Sequence, residues 1–304
     1  MKALVLGGGA LKGAWQVGAI QAIFEKGFVP EMIYGISAGA LNSSFLVAEA
    51  GRQQHKYGYI DWNGANKKLI SFWLNNITKP EDVGIPKSYW TLGVDTMMGR
   101  FDGLLDVNPL HEKVKKYVSV EDLQKSPIKI KVGAVNIHTG NMKYASPFED
   151  YFMDYLRASS SIPIIMPPVQ AGDDPKEVYM DGGLREVIPI RKAIEDGATE
   201  IYAVATHPRH RNMEPINHKN LLNIIDRMKD ISVNQLENND IDWAENYNQN
   251  LVSLYGFTIN KKIKLKVIRP DENLPIKLTS FNLDDIKACI KSGYEKGYSV
   301  INRE

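Results

Sequence analysis

The chain carries one cysteine, Cys289, in 304 residues. A single thiol closes no internal disulfide, so packing must hold the fold, and a reducing compartment is the simplest setting. Cys289 lies in Ile286-Lys287-Ala288-Cys289-Ile290. That is an apolar stripe at helical spacing, where a lone cysteine acts as a small hydrophobe. Long hydrophobic runs are also missing: no stretch approaches the roughly 18 apolar residues of a membrane-spanning helix. After Met-Lys only a strand-length apolar run precedes Gly7-Gly8-Gly9, which lacks the apolar core of a signal peptide. The expected location is the cytoplasm, with peripheral membrane contact left open. Nor is there an excess of one charge. Lys+Arg number 37 against 36 Asp+Glu, a net charge of +1, which argues against a nucleic-acid partner. No fixed-period repeat, low-complexity tract or Cys/carboxylate cluster with zinc spacing stands out. The expectation is therefore a protein without metal or cofactor, and its oligomeric state is not legible.

What is present is an ordinary globular composition, 43% hydrophobic and 24% charged, on a chain long enough for one large α/β domain. A short apolar strand at 3–6 leads through glycines to a helix at 14–25, stopped by Gly27. A second strand at 32–36 leads to a second helix that opens at Ser37 and runs to about residue 49. This alternation indicates an α/β fold with a largely parallel sheet. Further strands are expected at 128–135, 143–145, 178–180, 201–205 and 263–268. Further helices are expected at 65–75, 108–117, 151–158, 189–196, 217–236, 240–251 and 283–301. Residues 52–105 differ, with Tyr57, Tyr59, Trp62, Phe72, Trp73, Tyr89, Trp90 and Phe101 among turn residues. They read as an aromatic-rich insertion or lid within a single domain spanning 1–304. Core packing accounts for most of these side chains, while Trp62, Trp73, Trp90 and Met97-Met98 have the amphipathic character of a lipid-facing surface.

Three short motifs can carry chemistry. Gly35-Ile36-Ser37-Ala38-Gly39 fits G-x-S-x-G between a strand and a helix, where a sharp turn exposes a nucleophilic serine; the bland reading makes Ser37 a helix N-cap. Gly7-Gly8-Gly9-Ala10-Leu11-Lys12-Gly13 follows a strand. It reads as a dinucleotide-binding turn, as an oxyanion hole of backbone N–H groups, or as a plain tight turn. Asp181-Gly182-Gly183 follows another strand, as a proton-accepting carboxylate or a turn aspartate. A fourth element, Ala158-Ser159-Ser160-Ser161-Ile162-Pro163, reads alone as a loop.

In this order and with their flanks, Gly13-Ala14-Trp15-Gln16-Val17-Gly18 and Ile36 to Asn42, these motifs resemble the patatin-like phospholipase family. The resemblance covers about 1–50 and 155–205, and is poor over 52–130 and after 210. It implies a three-layer sandwich with helices on both faces of the sheet. It also implies a Ser37–Asp181 dyad that cleaves carboxylic esters of lipids through an acyl-enzyme. Gly8, Gly9 and Ala10 would form the oxyanion hole, supported by Lys12, Gly13, Gly35, Gly39, Gly182 and Gly183. Lys12 matches the family's basic position in this loop. It would steady the loop, meet a lipid phosphate or simply face solvent. The chain departs from the family at two positions. Ala10 replaces a third glycine, which should restrict the turn there to negative φ. Val187 stands where relatives often carry an asparagine that would orient the aspartate.

The histidines offer the check on a conventional triad. His207-Pro208-Arg209-His210 follows the strand at 201–205, in the chain order of an α/β-hydrolase, but the simplest reading is a polar surface loop. His55, His111, His138 and His218 form no constellation. Three other functions compete with hydrolysis: an acyltransferase or thioesterase on the same fold, a lipid-binding protein without turnover, and a dinucleotide-dependent oxidoreductase. Ala10 breaks the glycine register that the last requires.

Overall fold

The structure, a computed structural model, describes residues 1–212, 215–219, 221–249, 253–254, 257–258 and 262–302. Among these residues lie ten α-helices: α1 Gly13–Glu25, α2 Ala38–Tyr57, α3 Trp62–Asn76, α4 Tyr89–Met97, α5 Asn108–Tyr117, α6 Val120–Lys125, α7 Phe152–Ser159, α8 Ile190–Glu195, α9 Leu221–Gln249 and α10 Leu283–Ile301. The central sheet has eight strands: β1 Lys2–Leu6, β2 Met32–Ile36, β3 Lys129–Asn136, β4 Met142–Ala145, β5 Val169–Gln170, β6 Val178–Asp181, β7 Glu200–Val204 and β8 Lys264–Ile268. Their order is β8-β7-β1-β2-β3-β6-β5, with β4 also on β3. From β8 to β3 the pairing is parallel, and β4, β5 and β6 are antiparallel additions. The expected mostly parallel α/β sheet is thus present.

Side-chain alternation divides the core between the two faces of the sheet. Leu4, Leu6 and Ile33 join α1, α2 and α3 in one cluster. Their neighbours Ala3, Val5, Met32 and Tyr34 join Ile190 of α8 and Ile241 of α9 in the other. Every residue of β2 is buried, as expected for a strand covered on both sides. Cys289 is buried in α10, and burial pushes its thiol up to about 11.

The edge of β3 decides where the chemistry falls. The N–H of Lys129 donates to Glu31 O, and that of Ile137 donates to Val178 O. The N–H of Asn136 donates to Asn141 O. Odd and even residues of a strand bond to opposite sides, so β2 and β6 share one edge and β4 takes the other. Along that shared edge Ile36 lies opposite Gly133, and Asp181 lies opposite Ala134. The end of β2 therefore meets the end of β6 head-on, and Ser37 must turn away where Asp181 arrives.

Several elements differ from the sequence-based reading. α2 runs on to Tyr57 because Ala48, Ala50 and Gln53 continue its buried stripe, and Gly58 ends it in the left-handed conformation. α9 is one helix, not two. The expected gap between 236 and 240 is helical, because Glu237, Ile241 and Ala244, buried at helical spacing, hold the helix across it. The end expected at Leu251 lies outside the described residues. α4, α6, β5 and the pairing of Ile85–Pro86 with Leu105–Asp106 were not anticipated.

Candidate active site

Ser37 sits at φ 56° and ψ −127°, a strained position for a non-glycine residue that costs on the order of 1–3 kcal/mol. Its carbonyl accepts from the N–H groups of Ala40 and Leu41, at 2.9 and 3.2 Å, and so starts α2. Its side chain makes no cap bond, so the N-cap reading does not describe it. The flanking glycines are required by backbone contact. A Cβ on Gly35 would lie 2.3 Å from Gly39 O, and one on Gly39 would lie 2.2 Å from Leu6 O. The G-x-S-x-G spacing is thus the condition for folding the elbow onto β1.

Asp181 closes β6. Its Oδ1 accepts the Gly183 N–H at 2.8 Å, and its own N–H donates to Ser161 O at 3.0 Å. A Cβ on Gly182 would press to 2.6 Å from Gly133 O, so this turn too lies tight against β3. Ser37 and Asp181 are each 6% exposed. Burial pushes the Asp181 carboxyl up to about 6, against the pull of the Ser37 hydroxyl and the Gly183 N–H. The Ser37 hydroxyl is thus among the groups that pull on the Asp181 carboxyl, while burial holds that carboxyl above the ordinary carboxylate range.

The end of α7 and the loop after it hold both partners, a role that their sequence alone did not reveal. Ser159 Oγ accepts the Ser37 N–H at 3.0 Å, and Ser161 O takes that of Asp181. The signal was the Ala-Ser-x-x-x-Pro string, which says nothing of its partners without long-range contacts.

The glycine turn lies against the nucleophile: a Cβ on Gly8 would be 3.1 Å from Ser37 Cβ. Of the three expected oxyanion donors, Gly8 has its N–H engaged, donating to Val187 O at 2.9 Å. The N–H groups of Gly9 and Ala10 donate to no protein group among the described residues. A Cβ on Gly9 would overlap Thr206 Oγ1 at 2.2 Å. Ala10 has φ 50°, which corrects the expectation of negative φ. The packing of Thr206 against Gly9, and the Lys12 N–H to Gly9 O bond at 3.0 Å, hold the turn in that shape.

Lys12 is not a solvated lysine. Burial lowers its pKa, while Asp230 and Glu237 pull it back and Arg211 opposes them. Gly13 lets α1 start against the elbow, since a Cβ there would lie 2.9 Å from both Ala38 Cβ and the Trp73 ring. Val187, with no side-chain amide to offer, contributes its backbone: the carbonyl to Gly8, and the N–H to Asp240 Oδ2 at 2.8 Å.

His207 is buried at 2% exposure, which corrects the surface-loop reading. Its N–H donates to Glu237 Oε2 at 3.0 Å, and its Nδ1 lies 3.3 Å from the same carboxylate. Burial first, then Lys12, lowers its pKa. Its N–H and ring bond to Glu237 and Thr206 and its carbonyl accepts from Arg269, none of them a member of the Ser37–Asp181 pair. His55, His138, His210 and His218 are exposed.

An apolar cavity, partly open to solvent, starts at Ser37 and Ala10. Its walls come from α2 (Leu41, Phe45), α3 (Leu69, Phe72, Trp73) and α5 (Leu110, Val114), with Ile162 and Met166 near the serine loop. A buried network stiffens it: Trp73 Nε1 donates to Asn42 Oδ1 at 2.9 Å, and Asn42 Nδ2 donates to Gly13 O and Gln16 Oε1.

A family model matches most of the chain. The model of Patatin, described as patatin-like phospholipase, matches residues 4–194. Lysophospholipase NTE1 of Eremothecium gossypii is 28% identical over 205 residues, 66% of this chain and 12% of that protein. Patatin-like phospholipase domain-containing protein 7 of Rattus norvegicus is 27% identical over 208 residues, covering 66% of this chain and 13% of its own. Neuropathy target esterase sws of Drosophila melanogaster is 27% identical over 207 residues, with shares of 66% and 12%. The chain thus spans only a small fraction of the length of the curated relatives it matches. Among solved structures, VipD from Legionella pneumophila aligns with a TM-score of 0.46 at 15% identity, covering 99% of this chain and 66% of that one.

Proposed function

We propose, from the premise that the chain belongs to the patatin-like phospholipase family, that it hydrolyses carboxylic esters of lipids with a Ser37–Asp181 dyad. The observation that carries this reading is the meeting of the strained Ser37 and the buried Asp181 on one edge of β3, beside two uncommitted N–H groups and an apolar cavity. Names such as lysophospholipase among the relatives support the substrate class.

Ser37 Oγ attacks the ester carbonyl as Asp181 takes its proton. Gly9 and Ala10 donate to the oxyanion, and removal of one such donor costs about 2.7–4 kcal/mol of barrier. Asp181 then passes the proton to the leaving alkoxide, which departs as the alcohol. Water attacks the acyl-Ser37, Asp181 takes its proton, and the fatty acid leaves with the serine hydroxyl restored. A base that titrates near 6 is well matched to neutral pH. The acyl chain lies in the cavity between α2, α3 and α5.

Residues 1–304 act as one patatin-like domain, since β7, β8 and α10 complete the sheet and the helical layer beyond the family match. The lid or lipid-facing part of 52–105 narrows to 85–101. There Trp90 is 82% and Met97 90% exposed, and Met98 and Phe101 are exposed beside them. The N–H groups of Leu104 and Leu105 donate to Ile164 O and Ile165 O, which ties this segment to the loop that carries Ile162 and Met166 in the cavity wall. Such a surface suits peripheral contact with a lipid layer.

The test is a fluorophosphonate probe followed by peptide mapping. Label on Ser37, lost in Ser37→Ala, supports the reading. A folded parent chain that takes no label and cleaves no lipid ester rejects it. Product analysis in the presence of alcohol acceptors separates hydrolysis from acyl transfer.

A further inference from the structure

We infer that Glu237 and Asp240 of α9 are positioning residues that hold the oxyanion turn in register. This inference rests on the hydrolase reading and concerns residues beyond the 4–194 family match. Gly8 is gripped on both sides. Its N–H donates to Val187 O at 2.9 Å, and its carbonyl accepts from Thr206 Oγ1. Each grip is itself anchored to α9. Glu237 Oε1 accepts the Thr206 N–H at 2.9 Å, and Oε2 accepts the His207 N–H at 3.0 Å. Asp240 Oδ2 accepts the N–H groups of both Val187 and Ile188, at 2.8 and 3.1 Å.

Glu237 and Asp240 are three residues apart, hence neighbours on one helix face. The two carboxylates span the gap between the segment after β6 and the segment after β7, and Gly8 lies between those segments. Glu237 is fully buried. Arg269 braces the same corner, donating from Nε to His207 O at 3.0 Å and from Nη2 to Asn238 Oδ1 at 2.7 Å. The consequence for chemistry lies one residue on. With Gly8 fixed at both polar groups, the N–H groups of Gly9 and Ala10, without bonds of their own, are kept in one arrangement beside the nucleophile. Oxyanion donors work because they are already oriented when charge develops. A loosened clamp therefore slows the chemical step while leaving the apolar cavity, and substrate binding, intact.

The oxygen usage makes the inference specific. Asp240 uses one oxygen for two donors, so Asp240→Asn keeps an acceptor for both and should retain most of the activity. Glu237 uses both oxygens, so Glu237→Gln turns an amide NH2 toward a backbone N–H. Thr206→Val removes the hydroxyl that bonds Gly8 O and His207 Nδ1 and keeps the side-chain volume, which makes it the variant safest for folding.

The experiment measures kcat and KM on a soluble short-chain ester, per active site titrated with the fluorophosphonate. Thr206→Val, Asp240→Ala and Glu237→Gln should each lower kcat about 10- to 100-fold, the scale of a catalytic misplacement near 1 Å. KM should change little, and the labelling rate should fall in parallel. Unchanged kcat per titrated site in folded Thr206→Val and Asp240→Ala overturns the clamp, as does a rise in KM alone. Equal losses in Asp240→Asn and Asp240→Ala also overturn it, since they would point to charge instead of the acceptor geometry. An inactive, unlabelled parent sinks the hydrolase reading and the clamp with it.

Discussion

Residues 62–77 and 85–101 are both rich in large apolar side chains, yet the first segment is packed into the core and the second lies open to solvent. Spacing accounts for the difference. In α3, Trp62, Ala65, Leu69, Phe72 and Trp73 recur at three- and four-residue steps and are all buried, a stripe with one face to hide. In α4 and its flanks, Trp90, Met97 and Met98 stand exposed while Leu92 and Val94 are half-buried, so large apolar groups lie on more than one face. Composition marked 52–105 as unusual. Periodicity sorts it into a cavity wall and a surface.

The largest expected effect that sharpens this contrast is on stability. Trp73→Ala removes a buried ring and the bond to Asn42, and should cost about 3–5 kcal/mol by chemical denaturation. Trp90→Ala should stay within about 0.5 kcal/mol of the parent. Comparable losses from the two would erase the distinction. Next comes the cavity itself. Leu110→Trp should fill the wall and lower kcat/KM for long-chain esters about tenfold or more, while short-chain esters are spared; equal losses on both would mean that the cavity does not hold the acyl chain. For the surface, Trp90→Ser with Met97→Ser should weaken partition onto lipid vesicles about tenfold and leave turnover of a soluble ester alone. Vesicle binding that persists undiminished would assign the lipid contact elsewhere. The smallest effect is in the pH response. Asp181 must be ionised to accept a proton, and burial places it at about 6. The kcat/KM on a soluble ester should therefore rise with pH, about tenfold per unit below 6, and level off above it. The same profile should persist in the Trp90/Met97 variant, because the titrating group lies at the cavity end. A profile flat between pH 5 and 7 would remove Asp181 as the base.

What the sequence made legible was what short backbone contacts dictate. Gly35 and Gly39 are forced by atoms within the elbow or on β1, so a five-residue string announced Ser37. Asp181-Gly182-Gly183 followed from the same economy of space against β3, and the strand–helix alternation came from burial periodicity. The partners reached across long stretches of chain did not announce themselves. Ser159 holds the Ser37 N–H from 122 residues away. Nothing in Val187-Ile188 names Asp240 as the acceptor of its N–H groups. The engagement of the Gly8 N–H came from the Val187 carbonyl, and the positive φ of Ala10 came with Thr206 packing behind Gly9. His207 read as surface because its neighbours Arg209 and His210 are polar, whereas Glu237, on a helix that local sequence would have broken in two, draws it inward.

The dyad is most directly tested by Asp181→Asn, assayed on a lipid ester at pH 8 with folding verified by circular dichroism and thermal melting. Loss of general-base help should lower kcat about 10²- to 10⁴-fold, with Ser37 still present and the cavity unchanged. A folded Asp181→Asn chain that turns over near the parental rate would mean that another group takes the serine proton, and the meeting of β2 and β6 on β3 would no longer explain the chemistry.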